Sequence, residues 1–179
     1  MLFKAMYNRS LLNFGLFYTC LGWMGVIYSP EGLREVILPQ KSKEGVLSRV
    51  RSEQNLLIDN DLAAFSDLPQ RLISYFNGEK VDFPYRLDLG GATHFQQSVW
   101  RIVQTILYGE TRSYAWVANQ LGCDRAARAV GQAVGKNPLP IIIPCHRVIS
   151  SDGSIGGFTG GLNLKKYLLS LETARKQTV

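Results

Sequence analysis

The sequence predicts an α/β protein of two domains, and three observations support this. Strand-like residues surround a Pro-Gly turn near the N-terminus, helix-like periodic segments fill the second half, and Gly90-Gly91 separates the halves. A chain of 179 residues forms one domain or two small ones, each able to bury a core. We therefore expect an N-terminal α/β domain over residues 1–90 and a mainly helical domain over residues 91–179.

The uncharged, apolar segment 11–28 is compatible with a buried hairpin or with a signal peptide or membrane anchor. Asn13, Thr19 and several glycines interrupt it, which weakens it as a membrane helix. A Ser-Pro-Glu-Gly turn at residues 29–32 then precedes strand-like residues 33–38. The buried hairpin is the favoured interpretation, and no membrane association is expected.

Two helices and an extended segment are expected to complete the first half. The helices cover residues 42–54 and 61–76, and Asn77-Gly78 ends the second. Pro69 predicts a break or a new start within that second helix. Residues 80–89 are expected to be extended. The apolar stripe of the second helix consists of Leu62, Phe65, Leu68, Leu72 and Phe76.

The excess positive charge lies in the second half of the chain. Residues 1–90 carry ten Lys or Arg and ten Asp or Glu, whereas residues 91–179 carry ten and four, which accounts for the net charge of +6. A field of this kind attracts an anionic partner, most often nucleic acid. From charge alone, a merely soluble basic surface is an equally good explanation.

The chain has three cysteines, Cys20, Cys123 and Cys145, and two histidines, His94 and His146. An odd number of cysteines without CxxC spacing argues against a disulfide framework or a zinc cluster. We therefore expect no metal site and a reducing, intracellular compartment, which is the cytoplasm of a prokaryote or the nucleus of a eukaryote.

A helix-turn-helix is predicted in the second half. A helix over residues 95–107, N-capped by Thr93, precedes two short helices over residues 114–121 and 125–134, and Ser113 caps the first of these. An ordinary helical hairpin is the alternative. The second of these short helices, over residues 125–134, carries two arginines on a face of small residues. Such a face suits close approach to DNA and equally suits tight helix packing. That face consists of Arg125, Ala126, Ala127, Arg128, Ala129 and Gly131.

Residues 137–147 form the strongest candidate for chemistry. Three isoleucines between prolines predict a short buried strand that delivers Cys145. Only a few per cent of an ordinary thiol is ionised at neutral pH, and the adjacent His146 and Arg147 are candidates to increase that fraction. Because neighbouring side chains on a strand point to opposite faces, His146 is expected to reach Cys145 through a water or a third group. An inert, buried cysteine is the alternative.

Two further elements follow. The glycine-rich loop 156–161 lacks the spacing of a phosphate-binding loop and is expected to close over a flat ligand through exposed backbone. A final helix over residues 164–173 has Asn163 as its expected N-cap. Its charged residues Lys165, Lys166 and Glu172 are expected to be solvated.

Taken together, these motifs resemble the O6-alkylguanine-DNA alkyltransferase family. The sequence Pro144-Cys145-His146-Arg147 matches the family's active-site signature, and further matches occur at residues 108–114, 126–131, 137–138 and 160–162. The resemblance covers about residues 93–173. It implies a winged-helix-like helix-turn-helix there, and the first half resembles the family's variable ribonuclease-H-like domain only in length and coarse pattern.

The resemblance also implies roles for individual residues. Cys145 is the expected alkyl acceptor, His146 takes its proton through a water, and Glu172 orients the imidazole. Asn137 is expected to brace the turn between the helix-turn-helix and the active site, and Tyr114 to protonate the leaving base. The expected substrate pocket consists of Pro140, Val148, Phe158, Thr159 and Gly160.

The resemblance further implies that DNA is bound through the minor groove. Arg128 is expected to enter the duplex and fill the gap left by a flipped nucleotide. The other expected DNA contacts are Ser113, Arg125, Ala126, Ala127, Ala129 and Gly131.

The function implied is direct DNA repair. A monomer without a cofactor would transfer the alkyl group of O6-alkylguanine irreversibly to Cys145, once per molecule. The alternatives are a non-catalytic binder of alkylated DNA, against which Cys145 counts, and a cysteine hydrolase. Phe158 stands where some members have tyrosine, and Cys20 is the only cysteine or histidine before residue 91, so the zinc of some members is not expected.

Overall fold

The computed structural model describes residues 12–50, 56–58, 62 and 65–174. The chain is an α/β protein that divides into two compact units. One comprises Met1–Ile73 with Asp82–Asp88, and the other comprises Ser74–Val81 with Leu89–Val179. The division into domains at residues 90 and 91 stays a prediction.

A four-stranded sheet forms the centre of the first unit. Strands β1 (Leu12–Thr19), β2 (Gly22–Ser29) and β3 (Gly32–Gln40) pair antiparallel in succession, and β4 (Leu56–Ile58) pairs parallel to β1. The strand order is β3-β2-β1-β4. The predicted hairpin is therefore confirmed, and the apolar segment folds back once more at residues 20–21. Within the described residues, no helix is long and apolar enough to cross a membrane.

Two helices follow the strands of the first half, and the second begins later than predicted. Helix α1 covers Lys43–Val50, and residues 51–55 lie outside the described part of the chain. Helix α2 covers Leu68–Phe76 instead of starting at residue 61. The reason is Pro69, which has no amide hydrogen and is accommodated in the first turn of a helix. Gly78 follows the end of α2 with a φ of 84°.

The residues before and after α2 also differ from the predictions. Leu62 and Phe65 precede the helix, yet both are buried. The segment 80–89 forms no regular strand; its Leu87 makes an isolated bridge to Leu33. An apolar stripe indicates which side chains are buried, but it does not show where the helix begins.

Helices dominate the second unit. They are α3 (His94–Gln104), α4 (Tyr114–Gln120), α5 (Ala127–Gly135) and α6 (Leu162–Ala174), and a short parallel pair joins β5 (Arg112–Ser113) to β6 (Val148–Ile149). The caps predicted at Thr93 and Ser113 are present. The hydroxyl of Thr93 accepts from the amide of Gln96, and the hydroxyl of Ser113 accepts from the amide of Trp116 at 3.0 Å.

Helices α4 and α5 pack against each other and α5 packs on α3, as the predicted helix-turn-helix requires. The indole of Trp100 donates to the carbonyl of Ala133 at 2.9 Å and ties α3 to α5. Three helix boundaries differ by two or more residues from the prediction. Helix α3 ends at Gln104 instead of residue 107. Helix α5 begins at Ala127, so Arg125 and Ala126 lie in the turn before it. Helix α6 begins at Leu162, because the carbonyl of Gly161 already accepts a helical hydrogen bond, and Asn163 is not its cap.

Candidate active site

Cys145 begins a single 3₁₀ turn, Cys145–Arg147. The predicted strand before it is wrong, because the chain turns at the isoleucines. The amide of Ile143 donates to the carbonyl of Leu139 at 2.8 Å, and Ile141 is buried with a φ of 76°. A β-branched residue with positive φ costs roughly 1–3 kcal/mol, which the surrounding packing must offset. The apolar pattern indicated burial correctly and the conformation incorrectly.

Asn137 holds this turn together from inside. Its Nδ2 donates to the carbonyl of Ile143 and its Oδ1 accepts from the amide of Leu139, both at 2.9 Å. The side chain is buried, so both ends of the amide are satisfied by backbone rather than by solvent. Asn137 therefore connects the end of α5 to the residues that immediately precede Cys145.

A cavity of about 630 Å³ opens beside Cys145 in the second unit. Its wall includes Tyr114 of α4, Arg128 and Gly131 of α5, and Phe158 and Thr159 of the glycine-rich loop. The Cys145 side chain is buried. Burial raises the pKa of its thiol, while a hydrogen bond with Asn137 and the charge of Lys165 oppose that rise. The Cys145 thiol therefore needs a nearby proton acceptor or positive charge in order to form the thiolate.

The imidazole of His146 is fully buried and faces Glu172. Its Nε2 lies 2.9 Å from Oε1 of Glu172 and 3.2 Å from the hydroxyl of Tyr75, which donates to the same Oε1 at 2.6 Å. A carboxylate only accepts, so we assign the imidazole proton to Nε2. The other nitrogen, Nδ1, has no hydrogen-bond partner among the described residues. Burial lowers the pKa of His146, so Nδ1 is a free proton acceptor at neutral pH.

Glu172 is the electrostatic centre of this cluster. Besides His146 and Tyr75, it binds Arg147 through two bonds of 2.9 Å and accepts from the amide of Gly109 at 3.1 Å. Burial alone would raise the pKa of Glu172, but hydrogen bonds from His146 and Arg147 outweigh burial and lower it to about 2. Glu172 is therefore a carboxylate at any physiological pH, and its prediction as a solvated charge is wrong.

Two members of this cluster, Tyr75 and Arg147, were not predicted from the sequence. Tyr75 lies on α2, 71 residues before His146, and no local pattern connects the two. Arg147 was considered as a charge near the thiol, whereas its guanidinium is paired with Glu172 and also donates to the carbonyl of Ile106. The adjacency of His146 and Arg147 was the available signal, since one buried carboxylate binds both.

Tyr114 lies beside the thiol and the glycine-rich loop. Burial raises the pKa of Tyr114, and the charge of Cys145 raises it further, so its hydroxyl is protonated and able to donate at neutral pH. A Cβ at Gly156 would lie 2.8 Å from that hydroxyl oxygen, so the loop backbone passes very close to the ring. The hydroxyl of Thr159 donates to the carbonyl of Gly135 at 2.9 Å and connects the loop to α5.

Lys165 also differs from its prediction, because its side chain has no exposed surface. Its Nζ donates to the carbonyl of Val148 at 2.7 Å and to that of Gly157 at 3.2 Å. The neighbouring Lys166 is exposed, as expected. Within the described residues, no group of three or more His, Cys, Asp or Glu side chains is placed to hold a metal ion.

Comparison with known proteins bears directly on this arrangement. Residues 94–174 match the family model of the 6-O-methylguanine DNA methyltransferase DNA-binding domain. The methylated-DNA–protein-cysteine methyltransferase of Mycobacterium tuberculosis is 53% identical over 115 residues, which span 64% of this chain and 69% of that protein. The chain belongs to this methyltransferase family. The Methanosarcina barkeri member is 48% identical over 108 residues, or 60% of this chain and 68% of that protein.

Solved structures agree with this membership in the methyltransferase family. The crystal structure of Mycobacterium tuberculosis OGT in complex with DNA matches with a TM-score of 0.77 and 40% identity, covering 91% of this chain and 94% of that chain. The O6-methylguanine-DNA methyltransferase of Pyrococcus kodakaraensis matches with a TM-score of 0.70 and 26% identity, covering 90% and 98%. The likeness therefore extends beyond the segment that carries the sequence motifs.

The structure brings together many of the residues that the methyltransferase resemblance singled out. The cavity wall contains Cys145, Tyr114, Phe158, Thr159, Ala127, Arg128 and Gly131. His146 and Glu172 are hydrogen-bonded to each other and are not part of the cavity wall. The remaining residues lie outside the cavity wall, and these are Ser113, Arg125, Ala126, Ala129, Asn137, Pro140, Val148 and Gly160. Among them, Arg125 and Ala129 are exposed, whereas Pro140 and Val148 are buried.

Proposed function

We propose that this protein repairs DNA directly by transferring the alkyl group of an O6-alkylguanine to Sγ of Cys145. One observation carries the proposal: a buried cysteine lines a cavity of about 630 Å³, and its neighbour in the chain is a buried imidazole whose Nδ1 has no partner among the described residues. The arginine-bearing helix of small residues forms part of the same cavity wall. Membership in the methyltransferase family supports it.

The chemistry follows from the roles of three side chains. His146 takes the thiol proton on Nδ1 through a bridging water, and Glu172 stabilises the imidazolium that results. The thiolate attacks the alkyl carbon in line, forming the S–C bond as the C–O6 bond breaks. The electron pair of that bond goes to guanine, and Tyr114 donates a proton so that guanine leaves as a neutral base. The thioether product has no easy route to hydrolysis, so each molecule acts once.

DNA is engaged through α5 in the minor groove. The face of α5 carries no bulky side chain near Gly131 and Ala127, so the helix backbone can approach the duplex closely. A base in a duplex cannot reach a buried thiol and must be rotated out, at a cost of a few kcal/mol. Arg128 occupies the gap that the rotated nucleotide leaves in the duplex. The DNA backbone around this gap is contacted by Ser113, Arg125, Ala126 and Ala129.

The substrate pocket and the two domains are assigned in the same way. Phe158 of the cavity wall lines the alkyl pocket, to which Pro140, buried outside that wall, also belongs. The carbonyls of Cys145 and Val148 and the amide of Thr159 recognise the guanine edge, and Gly160 belongs to the same substrate pocket. Residues 1–90 form a ribonuclease-H-like domain and residues 91–179 contain a winged-helix-like helix-turn-helix. The protein acts as a monomer inside the cell and without a cofactor.

In the deciding experiment, the protein is incubated with a duplex that contains one O6-methylguanine, and the modified peptide is mapped by mass spectrometry. We expect one methyl group per molecule, located on Cys145 and absent from the exposed Cys20 and Cys123. The Cys145→Ser variant should bind the duplex and remain unmodified. Binding by the unaltered protein without transfer would instead support a non-catalytic binder, and repeated turnover would exclude the single-use mechanism.

A further inference from the structure

The buried ammonium of Lys165 has no role in the mechanism above. Its side chain has no exposed surface, and its Nζ makes hydrogen bonds only to backbone carbonyls, those of Val148 and Gly157, among the described residues. Removing an ammonium from water without a carboxylate partner is costly. Lys166, the next residue on α6, is exposed and bears the same charge without that cost. Burial of Lys165 therefore needs an explanation.

Its two carbonyl partners belong to two different segments of the site. Val148 directly follows the turn that begins with Cys145, and its own amide donates back to the carbonyl of Cys145. Gly157 lies in the cavity wall, next to Phe158 in the glycine-rich loop. One ammonium thus holds the loop over the pocket to the turn that carries the nucleophile.

We propose that Lys165 is a positioning residue of the alkyl-transfer site, whose buried ammonium joins the glycine-rich loop to the Cys145 turn and stabilises the Cys145 thiolate. The role in transfer rests on the proposed function, whereas the effect on the thiol is independent of DNA.

The other charged and titratable groups near the thiol do not supply this positive charge. His146 is neutral, because burial lowers its pKa. The charge of Arg147 is balanced by two bonds to the carboxylate of Glu172. Tyr114 is protonated and uncharged at neutral pH, since burial raises its pKa. Arg128 also lines the cavity and has no carboxylate partner among the described residues, but its side chain is exposed, so solvent screens its charge. Within the described part of the chain, Lys165 is therefore the buried cation without a carboxylate partner that acts on the Cys145 thiol.

The protonation of Lys165 agrees with this role. Burial lowers its pKa to about 8, and the charge of a Cys145 thiolate acts in the opposite direction. The ammonium form therefore predominates at neutral pH and is favoured further once the thiol ionises. Conversely, the charge of Lys165 lowers the pKa of the Cys145 thiol against the effect of burial.

Two variants separate the charge from the hydrogen bonds. Lys165→Gln removes the charge and keeps a side-chain amide that can donate to the carbonyls of Val148 and Gly157. Lys165→Met removes the charge and the donor at similar length. Lys166→Gln, on the exposed side of the same helix, is the matched control.

The measurement is the pH dependence of Cys145 carboxamidomethylation by iodoacetamide, followed by peptide mass spectrometry with Cys20 and Cys123 as internal references. In Lys165→Gln and Lys165→Met we expect the thiol pKa to rise by at least one unit, so that reaction at pH 7 slows about tenfold and recovers at higher pH. Methyl transfer from O6-methylguanine DNA should slow in parallel at pH 7. Lys166→Gln should match the unaltered protein in both assays.

The outcomes separate this inference from the proposed function. An unchanged thiol profile in a folded Lys165→Gln protein would overturn it, even if methyl transfer were lost. If the unaltered protein accepts no methyl group from DNA while the thiol profile still shifts in the variants, the proposed function fails and the charge effect stands. Should Lys165→Met fail to fold, Lys165→Gln alone decides.

Discussion

Nε2 of His146 lies 2.9 Å from Oε1 of Glu172, with both side chains almost completely buried. This contact assigns the imidazole proton to Nε2 and leaves Nδ1 as the acceptor. Because Glu172 also binds Arg147 and Tyr75, removing any one partner changes the charge that the imidazole experiences. Stability and reactivity are therefore coupled at this carboxylate.

The first prediction concerns stability in acid. The pKa of Glu172 is about 2 in the folded protein and near its ordinary value of 4.5 when unfolded. The contribution to stability is present above pH 4.5 and is lost as the pH falls towards 2. It amounts to roughly 3 kcal/mol. Urea unfolding between pH 7 and pH 2.5 should show this loss, with an earlier and separate decrease below pH 6.5 because the pKa of His146 is lowered by burial.

The control replaces a carboxylate that is not part of the cluster. Glu31→Gln, at an exposed position, should alter the unfolding free energy at pH 7 by less than about 0.5 kcal/mol. Glu172→Gln leaves the guanidinium of Arg147 without its partner and should cost about 3–5 kcal/mol. Equal effects of the two substitutions would contradict the assignment of the acid transition to Glu172.

The second prediction concerns Tyr75, whose hydroxyl donates to Glu172 and contacts Nε2 of His146. Tyr75→Phe keeps the ring and removes a buried hydrogen bond to a charged group, so it should cost about 1.5–3 kcal/mol. The less constrained imidazole should also slow the reaction of Cys145 severalfold. Urea unfolding and the rate of methyl transfer are the two measurements.

Tyr85→Phe is the matched control, since its hydroxyl also donates to a carboxylate, that of Asp67, at an exposed site. This variant should retain the full transfer rate and lose at most about 1 kcal/mol. A Tyr75→Phe protein that is destabilised yet transfers at the normal rate would restrict Tyr75 to a structural role.

Local signals in the sequence predicted local structure well. The hairpin around Pro30, the caps at Thr93 and Ser113, and the paired helices α4 and α5 depend on neighbouring residues, and all are present. The restart of α2 at Pro69 follows from the missing amide hydrogen. Family membership was predictable from several short motifs in the family's order, and the relatives of known sequence confirm it.

Features that depend on distant contacts could not be predicted in this way. Tyr75 and Glu172 are 97 residues apart, and no periodicity connects them. Lys165 and Lys166 are the same residue type at adjacent positions, so only the packing of α6 determines which one is buried. The positive φ of Ile141 contradicts the preference of isoleucine for strands, and the hydrogen bonds of Asn137 compensate for it.

The third prediction concerns the close approach of Gly156 to Tyr114. An alanine Cβ would lie 2.8 Å from the Tyr114 hydroxyl oxygen and 3.2 Å from its ring, at a backbone φ of 68°. Gly156→Ala must therefore displace the tyrosine or the loop, and we expect methyl transfer to slow at least tenfold because the proton donor is misplaced. A quenched time course of methyl transfer from O6-methylguanine DNA measures the rate, and circular dichroism checks the fold.

Gly91→Ala is the corresponding control, because a Cβ there meets no atom within 4 Å and its φ is not positive. It should transfer at the normal rate and be at least as stable as the unaltered protein. Normal transfer by Gly156→Ala would mean that Tyr114 does not need its present position for the reaction.

The fourth prediction concerns Arg128, which is exposed on α5 and lines the cavity beside Cys145. If its side chain stabilises a duplex from which one nucleotide has been rotated, Arg128→Ala should slow transfer from duplex O6-methylguanine at least tenfold. Transfer from the free base O6-methylguanine should change less than about twofold, because no duplex has to be opened. The slope of the logarithm of the binding constant against the logarithm of the salt concentration should also become shallower by about one unit, since one cation is lost.

Arg101→Ala, at an exposed position on α3 outside the cavity wall, is the matched control and should retain transfer from both substrates. An equal loss on duplex and free base would instead assign Arg128 to the pocket itself rather than to opening of the duplex.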